Sequence, residues 1–329
     1  MHSKNQIKKI AVMTSGGDAP GLNACIRSVV RTALFNRLTV MGVQHGFEGL
    51  ISSDFIPLDA NSVSNIIQLG GTMLKSSRSE QFKSREGRQI AYNKISAENI
   101  DAIILIGGDG SFAGAKAFIE EHDFPFIGIP KTIDNDISGT DVCIGYDTAL
   151  NTATQAIDKI RDTAQSHERI FIVEVMGRDS GCIAYGAGIA GGAEFVLIPE
   201  TKEDNKNLDK ALQRGWSRAK SSLIIVVAEG DESGGAFKVA ELVKKYMPNR
   251  YVGVSILGHI QRGGSPSASD RILASKLGYE AIEGLLKGER NMMVGIKKGT
   301  IHFTSLHKVK RHHLDINSNL LKLLTVLSS

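Results

Sequence analysis

Seven short apolar, β-branched runs recur along the chain, and they limit its fold more than any other feature. They are "KKIAVMTSG", "DAIILIGGDG", "PFIGIPKT", "IFIVEVMG", "EFVLIPE", "SLIIVVAEG" and "VGVSILGH", and most end in Gly, Pro or an acidic residue. Runs without polar alternation suit strands buried on both faces. Between them lie helical patterns such as "LNACIRSVVRTALFN", "TALNTATQAIDKIRDTA" and "NLDKALQRGWSRAK". Strands alternating with helices imply right-handed βαβ units and parallel sheets. At 329 residues the chain exceeds what one hydrophobic core usually organises. The expected fold class is therefore α/β, with two doubly wound, Rossmann-like parallel-sheet lobes. In such sheets ligands bind beyond the carboxyl ends of the strands, where Gly, Asp and Arg residues gather here.

Composition excludes several classes. A net charge of +4 leaves no nucleic-acid footprint. The one basic run, "HKVKRHH" at 307–313, reads as a solvated face. Cys25, Cys143 and Cys182 are odd in number and lack C-x-x-C spacing, which argues against disulfides or zinc and for buried thiols in a reducing cytosol. No window approaches a membrane span, and the N-terminal apolar run is too short for a signal peptide. A cytoplasmic protein is expected.

Two glycine-rich stretches point to phosphate. "TSGGDAPGLNA" (Thr14–Ala24) leaves a strand for a helix, with Gly16 and Gly17 permitting close approach of a ligand to free helix N–H groups. "IGGDGSF" (Ile106–Phe112) has the same layout, and Asp109 within it suits Mg²⁺, which prefers a carboxylate plus phosphate oxygens. "GAGIAG" (Gly186–Gly191) matches G-x-G-x-x-G but follows no strand directly, and it reads as a small-residue helix packed closely on a neighbour. In "KTIDND", Asp134 and Asp136 can both face a cleft, where a carboxylate serves as general base, but the motif by itself reads rather as an Asx-rich surface turn. "MGRDSG" and "GHIQRGGSP" place Arg178 and Arg262 where arginine grips phosphate in two-pronged fashion, with His259 either structural or a donor to a sugar phosphate.

Together "TSGGDAPGLNACIR", "GGDGS", "TIDND", "VEVMGR" and "LGHIQRGGSPSASDRILAS" resemble bacterial-type 6-phosphofructokinase, in that family's order and from about Ile10 to about Gly295. The resemblance implies transfer of the γ-phosphate of ATP to the 1-hydroxyl of fructose 6-phosphate, with Mg²⁺. It implies residues 1–144 plus 260–308 as a nucleotide-binding lobe, and 145–259 plus 309–329 as a sugar-phosphate lobe, with the active site in the cleft between them. Asp134 matches the general base, and Arg78, Thr132 and Arg178 match charge stabilisers. Gly17, Arg78, Ser79, Gly108, Asp109, Gly110 and Ser111 fall on the nucleotide side, Asp109 being the metal residue. Thr132, Ile133, Asp134, Met176, Gly177, Arg178, Glu229, His259, Ile260, Gln261 and Arg262 fall on the sugar-phosphate side. Arg169 matches a residue that reaches a neighbouring subunit's sugar phosphate, in a family of homotetramers with shared sites.

Departures from the pattern matter. Lys131 stands where many ATP-using members have glycine and pyrophosphate-using relatives have lysine, which keeps a pyrophosphate-dependent or mixed-donor enzyme as the alternative. Gly110 stands where those relatives place an aspartate that excludes ATP, so ATP is the expected donor. Gly253 replaces a second cross-subunit arginine, with Arg250 the candidate substitute, and Ser79 replaces an aromatic. The effector-site positions Arg27, Arg31, Arg161, Gly192, Glu194, Arg218 and Lys220 are kept or approximated, but Ala60 and Ser221 replace two basic residues. Weak or absent allosteric control is expected. "GGDG" alone also occurs in NAD kinases and lipid kinases, which lack the remaining motifs in this order. A nucleotide sensor built on a decayed kinase is the non-enzyme alternative: intact Asp109, Thr132, Asp134 and Arg178 speak against it, and Gly253 is the best evidence for it.

Overall fold

A computed structural model describes residues 7–201, 222–313, 322–323 and 326–327. The chain forms two compact units. One comprises Met1–Thr132, Ile137–Gly145 and Arg262–Arg311; the other comprises Ile133–Asp136, Tyr146–Gln261 and His312–Ser329. The segment Ile133–Asp136, which the sequence groups with the first lobe, clusters with the second unit.

In the first unit, β1 (Lys9–Thr14), α1 (Leu22–Phe35), β2 (Thr39–Val43), α2 (Phe47–Ser52), β3 (Phe55–Pro57), α3 (Arg85–Ala97), β4 (Ala102–Gly107), α4 (Asp109–His122) and β5 (Phe126–Pro130) follow in order. The second unit supplies α5 (Tyr146–Ser166), β6 (Ile170–Val175), α6 (Cys182–Ala190), β7 (Phe195–Leu197), β8 (Leu223–Ala228), α7 (Ala236–Tyr246) and β9 (Val252–Ile256). The chain then returns to the first unit with α8 (Ala268–Lys287), β10 (Met292–Lys297) and β11 (Thr300–Ser305). The helical pattern at 207–220 lies outside the described residues.

The first sheet has seven strands in the order β11-β10-β5-β4-β1-β2-β3. Its interior strands are apolar on both sides, and the side-chain period of two sorts them. Ile10, Val12, Ile104 and Ile106 join a core with α1 and α8, while Ala11, Met13, Ile103 and Leu105 join an aromatic core with α2, α3 and α4. Each such fully buried isoleucine contributes about 1.5–3 kcal/mol, so β1 and β4 anchor both layers. The edges depart from the parallel expectation: β3 and β11 are antiparallel to their neighbours. The β10–β11 hairpin turns at Lys298 and Gly299, whose φ of 49° and 77° match the primed turns that suit strand twist.

The second sheet is parallel, in the order β7-β8-β6-β9. Ile170, Ile172, Ile225 and Val227 pack against α7, and α5 and α6 cover the opposite face. The "GAGIAG" segment lies in and just beyond α6, where a side chain at Gly186 would meet Leu150 of α5 at 2.9 Å, so these glycines serve close helix packing.

In the first sheet the chain order reverses between β1 and β4, which leave in opposite directions. Open α/β sheets form a ligand crevice at that point.

Candidate active site

The switch point in the first unit carries both glycine-rich stretches. Gly16 and Gly17 follow β1, and Gly108 caps α4 immediately after β4. The first N–H groups of α4, at Asp109, Gly110 and Ser111, precede any intrahelical acceptor and point a positive dipole end outward. Ser111 is buried behind the turn, Gly110 is exposed, and a Cβ added at Gly110 would meet no heavy atom within 4 Å. The backbone here is thus open to a polyphosphate.

Three cations converge on this bare main chain. Lys131 is only 3% exposed, and its Nζ donates to the Gly17 carbonyl while its N–H binds the Gly107 carbonyl at 2.9 Å. The Arg262 guanidinium lies over Gly17, within 2.7 Å of where a Cβ would be, and its buried Nε has no hydrogen-bond partner among the described residues. Arg311 Nη2 lies 2.9 Å from Asp109 Oδ2. The basic run therefore is not wholly a solvated face. Arg78 is exposed in the loop before a short 3-10 turn, where Ser79 Oγ accepts from the Phe82 N–H at 3.2 Å. Ser76 Oγ ties that loop to the Gly16 carbonyl at 2.7 Å.

Among the described residues no group of three or more His, Cys, Asp or Glu side chains is placed to hold a metal alone. Asp109 supplies one carboxylate, one-third exposed, at a helix N-terminus. That donor set fits Mg²⁺ arriving with phosphate oxygens, which is how this ion is commonly bound.

In the second unit, Asp134 is 4% exposed and Arg178 Nε stands 3.7 Å from its Oδ2. The Ser180 hydroxyl donates to the Asp134 carbonyl at 2.9 Å, fixing the loop from which the carboxylate projects. Arg178 itself is left-handed, with φ 52°. That conformation costs a non-glycine residue about 1 kcal/mol or more and persists where the surroundings over-determine it. Here Glu229 Oε1 accepts the Arg178 N–H at 2.9 Å, and a side chain at Gly230 would strike the Arg178 carbonyl. Gly177, at φ 149°, faces the Ser180 carbonyl where no Cβ fits.

Met176, Gly177 and Arg178 follow β6, Glu229 follows β8, and Gly258–Gln261 forms a 3-10 turn beyond β9. These are carboxyl ends of one parallel sheet. Gln261 is fully buried, its Oε1 accepting from the Met176 N–H at 3.3 Å, so it props the turn. His259 and Ile260 are exposed, Ile133 is buried and Thr132 is half-buried at the end of the first unit's segment.

Around Arg169 the structure explains a departure. Phe171 pairs in register with Gly253, and its ring lies 2.6 Å from where a Cβ at 253 would stand. Phe171 fills the space that an arginine stem would need. Arg169 lies over the Tyr251 ring at 4.4 Å, and Arg250 Nη1 is 3.7 Å from Glu168. Of the effector positions, Arg27 and Arg31 sit one turn apart on α1. Arg161 donates to the carbonyls of Gly191 and Gly192 and lies 3.8 Å from Glu194. Arg218 and Lys220 lie outside the described residues.

Sequence reasoning missed Arg311, Ser180 and Phe171. Ser180 alone left a signal, standing two residues after Arg178 in "MGRDSG".

The sequence matches the family described as Phosphofructokinase over residues 9–285. It is 50% identical to ATP-dependent 6-phosphofructokinase 2 of Bacteroides thetaiotaomicron over 322 residues, 98% of this chain and 99% of that protein. It is 51% identical to ATP-dependent 6-phosphofructokinase of Cytophaga hutchinsonii over 317 residues, 96% of this chain and 97% of that one. Among solved structures it resembles Pichia pastoris phosphofructokinase in the T-state, with TM-score 0.86 and 32% identity over 93% of this chain and 36% of that longer chain.

Proposed function

Because the chain belongs to the phosphofructokinase family, we propose that it transfers the γ-phosphoryl group of ATP to the 1-hydroxyl of fructose 6-phosphate. The observation that carries this reading is the set around Asp134: a buried carboxylate with a guanidinium 3.7 Å away, on a backbone held by Ser180 and Glu229. Asp134 takes the proton of the 1-hydroxyl as its oxygen bonds to phosphorus and the bond to the ADP oxygen breaks. The proton then passes to solvent. Arg178, 3.7 Å from that carboxylate, offers charge to the transferring group. Phosphoryl transfer asks for little more than positioning and charge neutralisation.

On the donor side, the α4 N-terminus and the Gly16–Gly17 backbone receive phosphates, and Lys131, held beneath Gly17, adds a fixed positive charge. Arg78 adds positive charge and Thr132 a hydroxyl donor. Asp109 would hold Mg²⁺, which when bound neutralises charge on the donor phosphates. The open space at Gly110 supports ATP over pyrophosphate, since no side chain stands where the α-phosphate would lie. Lys131 excludes neither donor.

Glu229, Met176, Gly177, His259 and Arg262 are proposed to hold the sugar phosphate, with Arg169 reaching a neighbouring subunit in a homotetramer. The Phe171–Gly253 pairing supports loss of the second cross-subunit arginine rather than its replacement by Arg250, which faces Glu168. The effector response is proposed to be weak, because Ala60 and Ser221 stand where two basic residues are expected, and Arg161 Nε and Nη2 already donate to Gly191 and Gly192. No helix among the described residues is long and apolar enough to cross a membrane, and a cytoplasmic location goes with the proposed glycolytic role.

Coupled turnover of fructose 6-phosphate with ATP and with pyrophosphate tests the donor. ATP should give the higher kcat/KM; faster turnover with pyrophosphate would overturn this assignment and leave the acceptor reading intact.

A further inference from the structure

The basic run near the C-terminus delivers a side chain to the donor site. Arg311 Nη2 meets Asp109 Oδ2 at 2.9 Å, across 202 positions of sequence. This placement is built in, because its backbone is fastened on both sides. Ile137 and Arg311 form an antiparallel bridge. The Ser138 N–H donates to the Lys310 carbonyl at 2.9 Å, and the Lys310 N–H donates to Ser138 Oγ at 2.9 Å. Upstream, Leu306 is 2% exposed in the aromatic core and Val309 packs against it. Anchored in this way, the Arg311 backbone is already ordered, and reaching the carboxylate costs only side-chain rotamer freedom.

We propose that Arg311 is the resident counter-ion of Asp109, occupying that carboxylate until a nucleotide brings its own divalent cation. The proposal rests on the reading of Asp109 as the residue facing that cation. The physical argument is competition for one oxygen. A guanidinium 2.9 Å from one carboxylate oxygen partly offsets its charge, so a free divalent ion binds there against a resident positive charge. A cation carried with phosphate brings extra ligands on both sides: its own oxygens to the helix N-terminus, and negative charge to receive Arg311. The site is thereby biased against free metal and toward the metal–nucleotide complex. Arg311 acts here as a positioning residue.

The probe is Mn²⁺, its binding to the full-length protein followed by electron paramagnetic resonance without nucleotide and with ADP. Arg311→Ala should bind Mn²⁺ without nucleotide about three- to tenfold tighter than the parent, a figure kept low because both side chains are one-third exposed. Arg311→Lys should fall between the two, and the gap should narrow with ADP. Equal Mn²⁺ affinity in Arg311→Ala and the parent, including no detectable binding by either, would overturn the proposal. So would unchanged Mn²⁺ affinity with weaker metal-free ADP binding, which would make Arg311 a phosphate ligand instead. Asp109→Asn should lose Mn²⁺ binding in the presence of ADP. If it does not, the reading of Asp109 falls first, a failure distinct from the others. Thermal melts of each variant establish that it is folded.

Discussion

The two units present their strand ends in different ways. In the first, the groups at the strand ends are mostly backbone: Gly16, Gly17, Gly108, Gly110 and the free end of α4. Charge is brought in from far along the chain by Lys131, Arg262 and Arg311. In the second unit the groups are side chains held by locks. Ser180 fixes the Asp134 carbonyl, Glu229 fixes the Arg178 N–H, and Gln261 fixes the Met176 N–H. A backbone cradle recognises phosphate wherever it occurs, whereas a locked carboxylate serves one hydroxyl in one position. The contrast matches a common donor and a particular acceptor.

If the first unit reads its ligand through bare main chain, adding a side chain there should damage donor use alone. Gly110→Asp should lower kcat/KM for ATP by about a hundredfold or more, because like charges forced together cost several kcal/mol. The KM for fructose 6-phosphate should stay unchanged. An equal loss for both substrates in steady-state kinetics would break the comparison. Next in size is the lock on Arg178. Glu229→Ala removes a charge-assisted acceptor and should lower kcat/KM for the sugar phosphate by about tenfold, with the KM for ATP unaltered. The smallest effect belongs to Ser180→Ala, which frees the Asp134 carbonyl. It should lower kcat by about fivefold, equivalent to about 1 kcal/mol. No change in kcat would show that the hydroxyl serves only packing.

Much of this was legible in the sequence because it is local. The apolar runs mark β1, β4, β5 and all four strands of the second sheet, and the motifs beyond their carboxyl ends carry Gly17, Asp109, Asp134 and Arg178. The remainder depended on pairings that local pattern does not carry. Phe171 opposite Gly253 is a matter of strand register, and neither residue announces it alone. β11 alternates polar and apolar residues and lacks the continuous apolar run that marks a strand such as β4. Arg311 reads as surface charge because five of the seven residues in "HKVKRHH" besides its own guanidinium and Val309 are also basic or imidazole. Only the fastening of that segment to Ser138 selects which one reaches Asp109.

The most direct measurement is the turnover of Asp134→Asn with ATP and fructose 6-phosphate, with both substrates' binding measured alongside. The amide keeps the size and the Ser180 contact to the backbone but has no affinity for the proton. The account predicts a fall in kcat of about a thousandfold with both substrates still bound. A variant that retains kcat to within about tenfold would contradict it.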